Sequence, residues 1–489
     1  MRADRRRRGV IAVATCALAW VAGCGPVAML TRPEGNGGWS AARRTHELEQ
    51  RAAAAAVDLQ ATPTPAADHP LTLGEALARV ASGNIRLAEA RQQLAIARAR
   101  VAEARGRLFP GTTASGRYAF ATDPQRIVLQ LPEELVMGRT QPGFIIRDQN
   151  LGTLNATMTL PLDITGEIRW ALAAAQAGYR GEAARVWAAT LEQEVLVIGA
   201  YYTLLEAQKL RAVTTQTMAL QRELLGHASE RFDSGRLTKN ELLVVQVGLQ
   251  DAEQELRRRD LAIDQARWAL NEALGLPIDA PTAIADVPER PKLPLVTDAL
   301  RTAYAENPVL LALVEEQQRL EASATSLSRS RLPRFAGGGA IDHSTTDVSE
   351  PNTLGTGFVG FEWRIDTDTR IAANLAEARA GIEQNRLRVQ RELRELEHAV
   401  RTTYGAAAER LSALTSAEAA VGQAEENLRI RRQQFDVGRA QSDDVLDAER
   451  LLAYQRATLA TARYQAQTRR AELQALMGQP VTDLVAEGR

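Results

Sequence analysis

The chain has 489 residues, 45% of them hydrophobic but only 4% aromatic, with 59 Lys and Arg against 60 Asp and Glu. That near balance gives no reason to expect nucleic acid, and the composition suits long helices rather than a globular α/β core. The only cysteines are Cys16 and Cys24, too few for a multi-thiolate metal site, and no uninterrupted apolar stretch reaches membrane-spanning length.

The N-terminus pairs a basic patch, Arg2 and Arg5 to Arg8, with a short apolar run, Val10 to Ala22, and so reads as a signal peptide over residues 1–23. The run ends in Val21-Ala22-Gly23-Cys24, which resembles the lipobox of bacterial lipoproteins. That resemblance makes Cys24 the lipidated first mature residue, and Gly25 after it favours sorting to the outer membrane. An ordinary signal peptide with an incidental cysteine is the competing account. Removing residues 1–23 leaves 54 basic and 59 acidic residues. Residues 24–70 are a linker, marked by Gly35-Asn36-Gly37-Gly38, Pro63 and Pro65.

A first repeat is expected over residues 71–276. Its half-length helix runs from Leu73 to Leu108, followed by strands at about 112–121 and 151–162. The residues around Pro124 to Asn150 form an enlarged hairpin loop. A proline-free helix then extends from Gly166 to Phe232, roughly 100 Å at ~1.5 Å per residue. The turn at 232–241 contains Phe232 and Gly235, the latter supplying the left-handed position that closes a helix. Thr238-Lys239-Asn240-Glu241 matches a capping box, and the return helix stops at Gly275-Leu276-Pro277. Residues 277–295 link to the second repeat, 296–480. There a half helix, Val296 to Leu332, is interrupted at Asn307-Pro308; strands follow at about 335–342 and 354–365. A long helix, Thr369 to Phe435, a turn at 435–444 and a half helix, Ser442 to Met477, precede a tail at 481–489.

Identity at fixed spacing supports the duplication. At an offset of 203, Phe232, Asp233, Gly235 and Arg236 recur as Phe435, Asp436, Gly438 and Arg439, and Tyr201 recurs as Tyr404. Upstream the offset is 223, pairing Asn84 with Asn307 and Pro110 with Pro333. The expected fold is mainly α with a membrane β-barrel portion. Four strands cannot close a barrel, and open edges are not tolerated in lipid, so several chains must contribute.

The lipobox, the duplicated hairpin-plus-long-helix unit and the Phe-x-x-Gly turn together resemble the TolC family, the outer membrane factors of tripartite efflux and type I secretion. The resemblance spans residues 71–480. It implies a homotrimer with a twelve-stranded barrel in outer-membrane lipid, lipid-anchored, continuous with an α-helical periplasmic tunnel. It implies passive conduction, with an adaptor protein and an inner-membrane pump of RND, ABC or MFS type as partners. Phe435-Asp436-Val437-Gly438 and Asp444-Val445-Leu446-Asp447 match the family's turn and acidic constriction, which makes Asp444 and Asp447 pore-gate residues, with Glu241 at the position equivalent to Asp444. The pattern departs at Ala440, where family members carry an arginine that ties the closed tip; here Arg439 stands one position earlier.

Asp443 and Asp444 also occupy the first turn of a helix, where carboxylates face the helix dipole, so capping is a competing account of them. His46, His69, His227, His343 and His398 lack ligand-like spacing, and no nucleophile elbow or phosphate loop is present. No metal, cofactor or enzyme activity is expected. The competing function is a periplasmic coiled-coil lipoprotein serving as adaptor or envelope spacer, a reading that leaves the strands unexplained.

Overall fold

The structure, a computed structural model, describes residues 69–128, 143–147, 149–235, 237–286, 292–345, 351–365, 369–437 and 439–481. The expected signal peptide, Cys24, nearly all of the 24–70 linker, Gly438 and the tail beyond Val481 lie outside the described residues.

The first repeat comprises α1 (Leu73–Gly83), α2 (Ile85–Gly106), β1 (Gly111–Phe120), β2 (Gln125–Val128), β3 (Gly143–Arg147), β4 (Asn150–Leu162), α3 (Glu167–Asp233) and α4 (Lys239–Leu274). The second comprises α5 (Val296–Glu306), α6 (Pro308–Arg329), β5 (Arg334–Ser344), β6 (Thr353–Glu362), α7 (Arg370–Asp436) and α8 (Ser442–Leu476). Two expectations need correction. The Leu73 to Leu108 helix is broken at Asn84, whose extended backbone ends α1 and whose Oδ1 accepts from the backbone N–H groups of Arg86 and Leu87, starting α2. Asn307 does the same for α6 through Val309 and Leu310. An asparagine cap therefore suffices for the break, and proline only reinforces it. The enlarged loop of the first hairpin also contains a ribbon of its own, β2 paired with β3.

Four rods lie side by side: the α2 and α4 flank, then α3, then α6 and α8, then α7. A core forms where α1, α3, α4 and α8 meet, with Leu77, Val80, Ile198, Tyr201, Leu205, Leu270 and Tyr464 buried. Each such aliphatic side chain contributes about 1.5–3 kcal/mol by leaving water. The Tyr201 hydroxyl lies 2.9 and 2.6 Å from the carbonyl oxygens of Leu71 and Ala285 and shares its one proton between them, fastening the start of the repeat and the following linker to α3. The described start of the linker is thus pinned at Ala285 through Tyr201 and at Asp286, which lies 3.0 Å from Lys209. A second core joins Ala299, Ala303, Leu310, Val400 and Leu473 of the second repeat.

The strands form one antiparallel sheet in the order β1-β4-β5-β6. The hairpins share one register under the repeat offsets: Gly111 faces Thr159, and Arg334 faces Glu362.

Candidate functional site

Two parts of the molecule bear on function, the sheet and the helical turns farthest from it in the chain. Strand alternation sorts the sheet residues onto two faces. One face carries Leu154, Met158, Leu160, Ile341, Val359 and Phe361, all exposed, with Tyr118 and Phe120 toward one end and Phe335 and Phe361 toward the other. The opposite face is mostly polar, carrying Arg117, Asn155, Thr157, Thr159 and Asp342 together with Leu354 and Phe358 of β6, and Asn155 donates to Asp342. Tyr118 is level with Gly152, and Phe361, through Phe335, with Leu162. Ten residues at ~3.3 Å give roughly 33 Å along the strand. Tilted by the ~40° usual in such barrels, that is about 25 Å, the height of an outer-membrane apolar band. A sheet wet on one side and apolar on the other, with aromatics bounding the apolar band, fits lipid outside and water inside. No helix among the described residues is long and apolar enough to cross a membrane.

At the first tip turn, α3 ends with Gly235 at φ 71°, its N–H donating to Phe232 at 2.9 Å. Thr238 caps α4. Its N–H donates to Glu241 Oε2 at 2.8 Å, and its Oγ1 accepts from the Glu241 N–H at 3.3 Å. The Thr238 backbone N–H, and then its hydroxyl, hold the Glu241 carboxyl below the usual glutamate range. The structure therefore engages Glu241 in the cap.

At the second tip turn, the Arg439 N–H returns to the Gln434 carbonyl at 2.8 Å, closing α7. The Gln441 N–H donates to Asp444 Oδ2 at 2.9 Å, so Asp444 also caps, and it stands 3.9 Å from Arg431. Asp447 lies one turn deeper, its side chain 75% exposed and 3.3 Å from Arg450. Of the acidic residues expected at the gate, Asp447 alone has no capping role in the structure. Among the described residues, Arg439 makes no ion pair. Phe435 packs against Leu224, Ala228 and Leu446, and the Arg231 guanidinium lies 4.6 Å above its ring. Phe232, its counterpart, is exposed.

Sequence reasoning missed Glu449. It is buried, 3.1 Å from Arg432, with Oε2 lacking a hydrogen-bond partner. Burial pushes its carboxyl above the usual glutamate range, partly offset by Arg432. The signal was available: Glu449 falls three positions after Leu446 and three before Leu452, on an apolar stripe where a carboxylate is out of place. No group of acidic, histidine or cysteine side chains among the described residues is arranged to hold a metal.

A family model described as "Outer membrane efflux protein" matches residues 75–276 and 299–479, the two repeats in turn. The chain belongs to the outer membrane efflux protein family. No curated protein sequence matches this efflux protein. Among solved structures, it is similar to the outer membrane protein VceC of Vibrio cholerae, with a TM-score of 0.70 at 17% identity, covering 84% of this chain and 96% of that one. CusC gives a TM-score of 0.70 at 15% identity, covering 86% and 96%. The CmeC outer membrane channel of Campylobacter jejuni gives 0.69 at 15% identity, covering 85% and 89%. This member of the family is an outer-membrane efflux channel, and the adaptor or spacer alternative is not favoured.

Proposed function

We propose that three copies of this efflux protein form one exit duct. Each contributes four strands to a twelve-stranded barrel and its helices to a periplasmic tunnel that receives cargo from an inner-membrane pump through an adaptor. The observation carrying this reading is the four-stranded sheet itself, apolar and aromatic on one face, mostly polar on the other, with β1 and β6 as open edges. Unpaired edges are untenable in lipid, so the sheet must close with others. Two copies would give eight strands, whose interior side chains fill it; three give twelve, wide enough for a passage. Mass measurement of the detergent-solubilised protein should report three subunits, and a monodisperse monomer would overturn the proposal.

Conduction in this reading needs no chemistry from the protein, and the duct has no enzyme activity. Asp447, with Asp444 behind it, lines the periplasmic mouth, where carboxylates from three copies would favour cations. Phe232, Gly235 and Phe435 shape the two turns that carry that ring. Cys24 bears the lipid anchor: palmitate labelling of the wild-type protein, lost in Cys24→Ala, is the expected result.

A further inference from the structure

The chain contains one complete contact between its two repeats, and that contact is a template for another. Glu206 of α3 accepts from Thr461 of α8 at 2.7 Å, and Tyr202 stacks on Tyr464 with ring centroids 6.0 Å apart. Higher on α3, Gly178 lies against the Arg319 side chain of α6. Advancing the α3 residues by 203, and moving those of α8 and α6 back by 203 and 223, gives new pairs: Glu409 with Arg258, Gly405 with Leu261, and Gly381 with Ile96. These pairs do not meet within one chain, because α7 and the α2 and α4 flank stand at opposite edges of the four rods.

We propose that they meet between copies: α7 of one chain packs on α2 and α4 of the next, in the register α3 keeps with α6 and α8. The inference rests on the trimer reading above and adds which residues touch. Side-chain chemistry supports the register. Leu261 is 53% exposed and Ile96 is 45% exposed, while Gly405 and Gly381 have open space over their α-carbons. Each apolar knob would therefore fall on a glycine. Glu409 and Arg258 carry opposite charges where the internal contact pairs a carboxylate with a hydroxyl. Each now has a neighbour on its own helix, Arg410 at 3.2 Å and Glu255 at 3.4 Å, with Glu409 and Arg258 both exposed. The same rule extends to the open strands. The internal pairing of Thr157 with Ala340 becomes Gly360 of β6 with Arg117 of the next copy's β1.

Near the tip the match lapses. Leu446 is 2% exposed, packed on Leu224 and Ala228. Its counterpart Leu243, 47% exposed, would face Asn427 and Arg431. The contact between copies is accordingly well matched at mid-height and poorly matched at the tip.

An exposed ion pair contributes only ~0–1 kcal/mol, so stability is a poor readout and geometry is the useful one. In full-length protein in membranes, Arg258→Cys with Glu409→Cys should give a covalent trimer with a short bifunctional thiol reagent, and each single variant should not. A pair displaced by eight residues, about 12 Å, Arg258→Cys with Arg401→Cys, should stay uncrosslinked. Arg117→Cys with Gly360→Cys reads the same register in the barrel, should the helical cysteines disturb assembly. Trimers that crosslink only through the displaced pair, or through neither predicted pair, would overturn the register and leave the trimer standing. A different subunit count before crosslinking would remove the trimer reading as well.

Discussion

Gly478 sits directly against the carbonyl oxygen of Glu306: a β-carbon there would lie 2.2 Å from it. The end of α8 is thereby locked onto the break between α5 and α6, and Asn307 reinforces the joint by donating to Leu476 O at 3.1 Å. Gly478 also has φ 73°. Gly478→Ala should destabilise the protein by about 3 kcal/mol or more, the left-handed backbone accounting for ~1–2 kcal/mol and the clash for the rest. Gly235→Ala is the control, having φ 71° and nothing within 4 Å. It should cost only the backbone component. Denaturant unfolding of both variants, compared side by side, measures the difference.

Tyr201→Phe removes the hydroxyl that binds the Leu71 and Ala285 carbonyls. Burial pushes the Tyr201 phenol up to about 12, so it remains a donor throughout the physiological range. The loss should be about 1–3 kcal/mol. Faster hydrogen exchange at the Leu71 and Ala285 amides, which belong to the same bridge, would locate it there.

Asp447→Asn should weaken the cation preference of the channel in planar bilayers while costing helix stability less than ~1 kcal/mol, because Asp447 caps nothing and its pair with Arg450 is exposed. Asp444→Asn should add a smaller change in selectivity, asparagine keeping much of the capping ability. Reversal potentials under a salt gradient report both. Unaltered selectivity in the double variant, with intact trimers, would return these residues to purely local roles.

Glu449 predicts a pH effect at the tip. Its folded-state pKa is raised, so the folded hairpin holds the proton more tightly than the unfolded chain. That stabilisation is complete below the ordinary glutamate value and is lost as pH rises through the raised one. Mild acidification should therefore slow hydrogen exchange in the α7 and α8 turn, and Glu449→Gln should flatten the dependence.

Much of this fold was legible because its signals are local. Gly235, the Thr238 to Glu241 cap and the Gly275-Leu276-Pro277 stop each end a helix through their own backbone chemistry, and the offsets of 203 and 223 carried the reading from one repeat to the other. Asn84 escaped because its break has no proline, although its pairing with Asn307 implied one. Glu449 was signalled by its place between Leu446 and Leu452 on one stripe of α8, but its burial and its pairing with Arg432 of α7 depend on how the two helices approach, which is not written in spacing. At the tip the sequence offered both gating and capping for Glu241 and Asp444; that both carboxylates engage a backbone N–H while Asp447 stays exposed depends on side-chain direction.

The two long helices, α3 and α7, are each 67 residues. At ~1.5 Å per residue both reach roughly 100 Å, so one chain sets the distance from sheet to tip twice over. A single-turn deletion in one helix alone would leave one turn short of the other and break the ring they share. Relatives with deeper or shallower ducts should therefore change length in matched pairs, at positions 203 apart in this numbering.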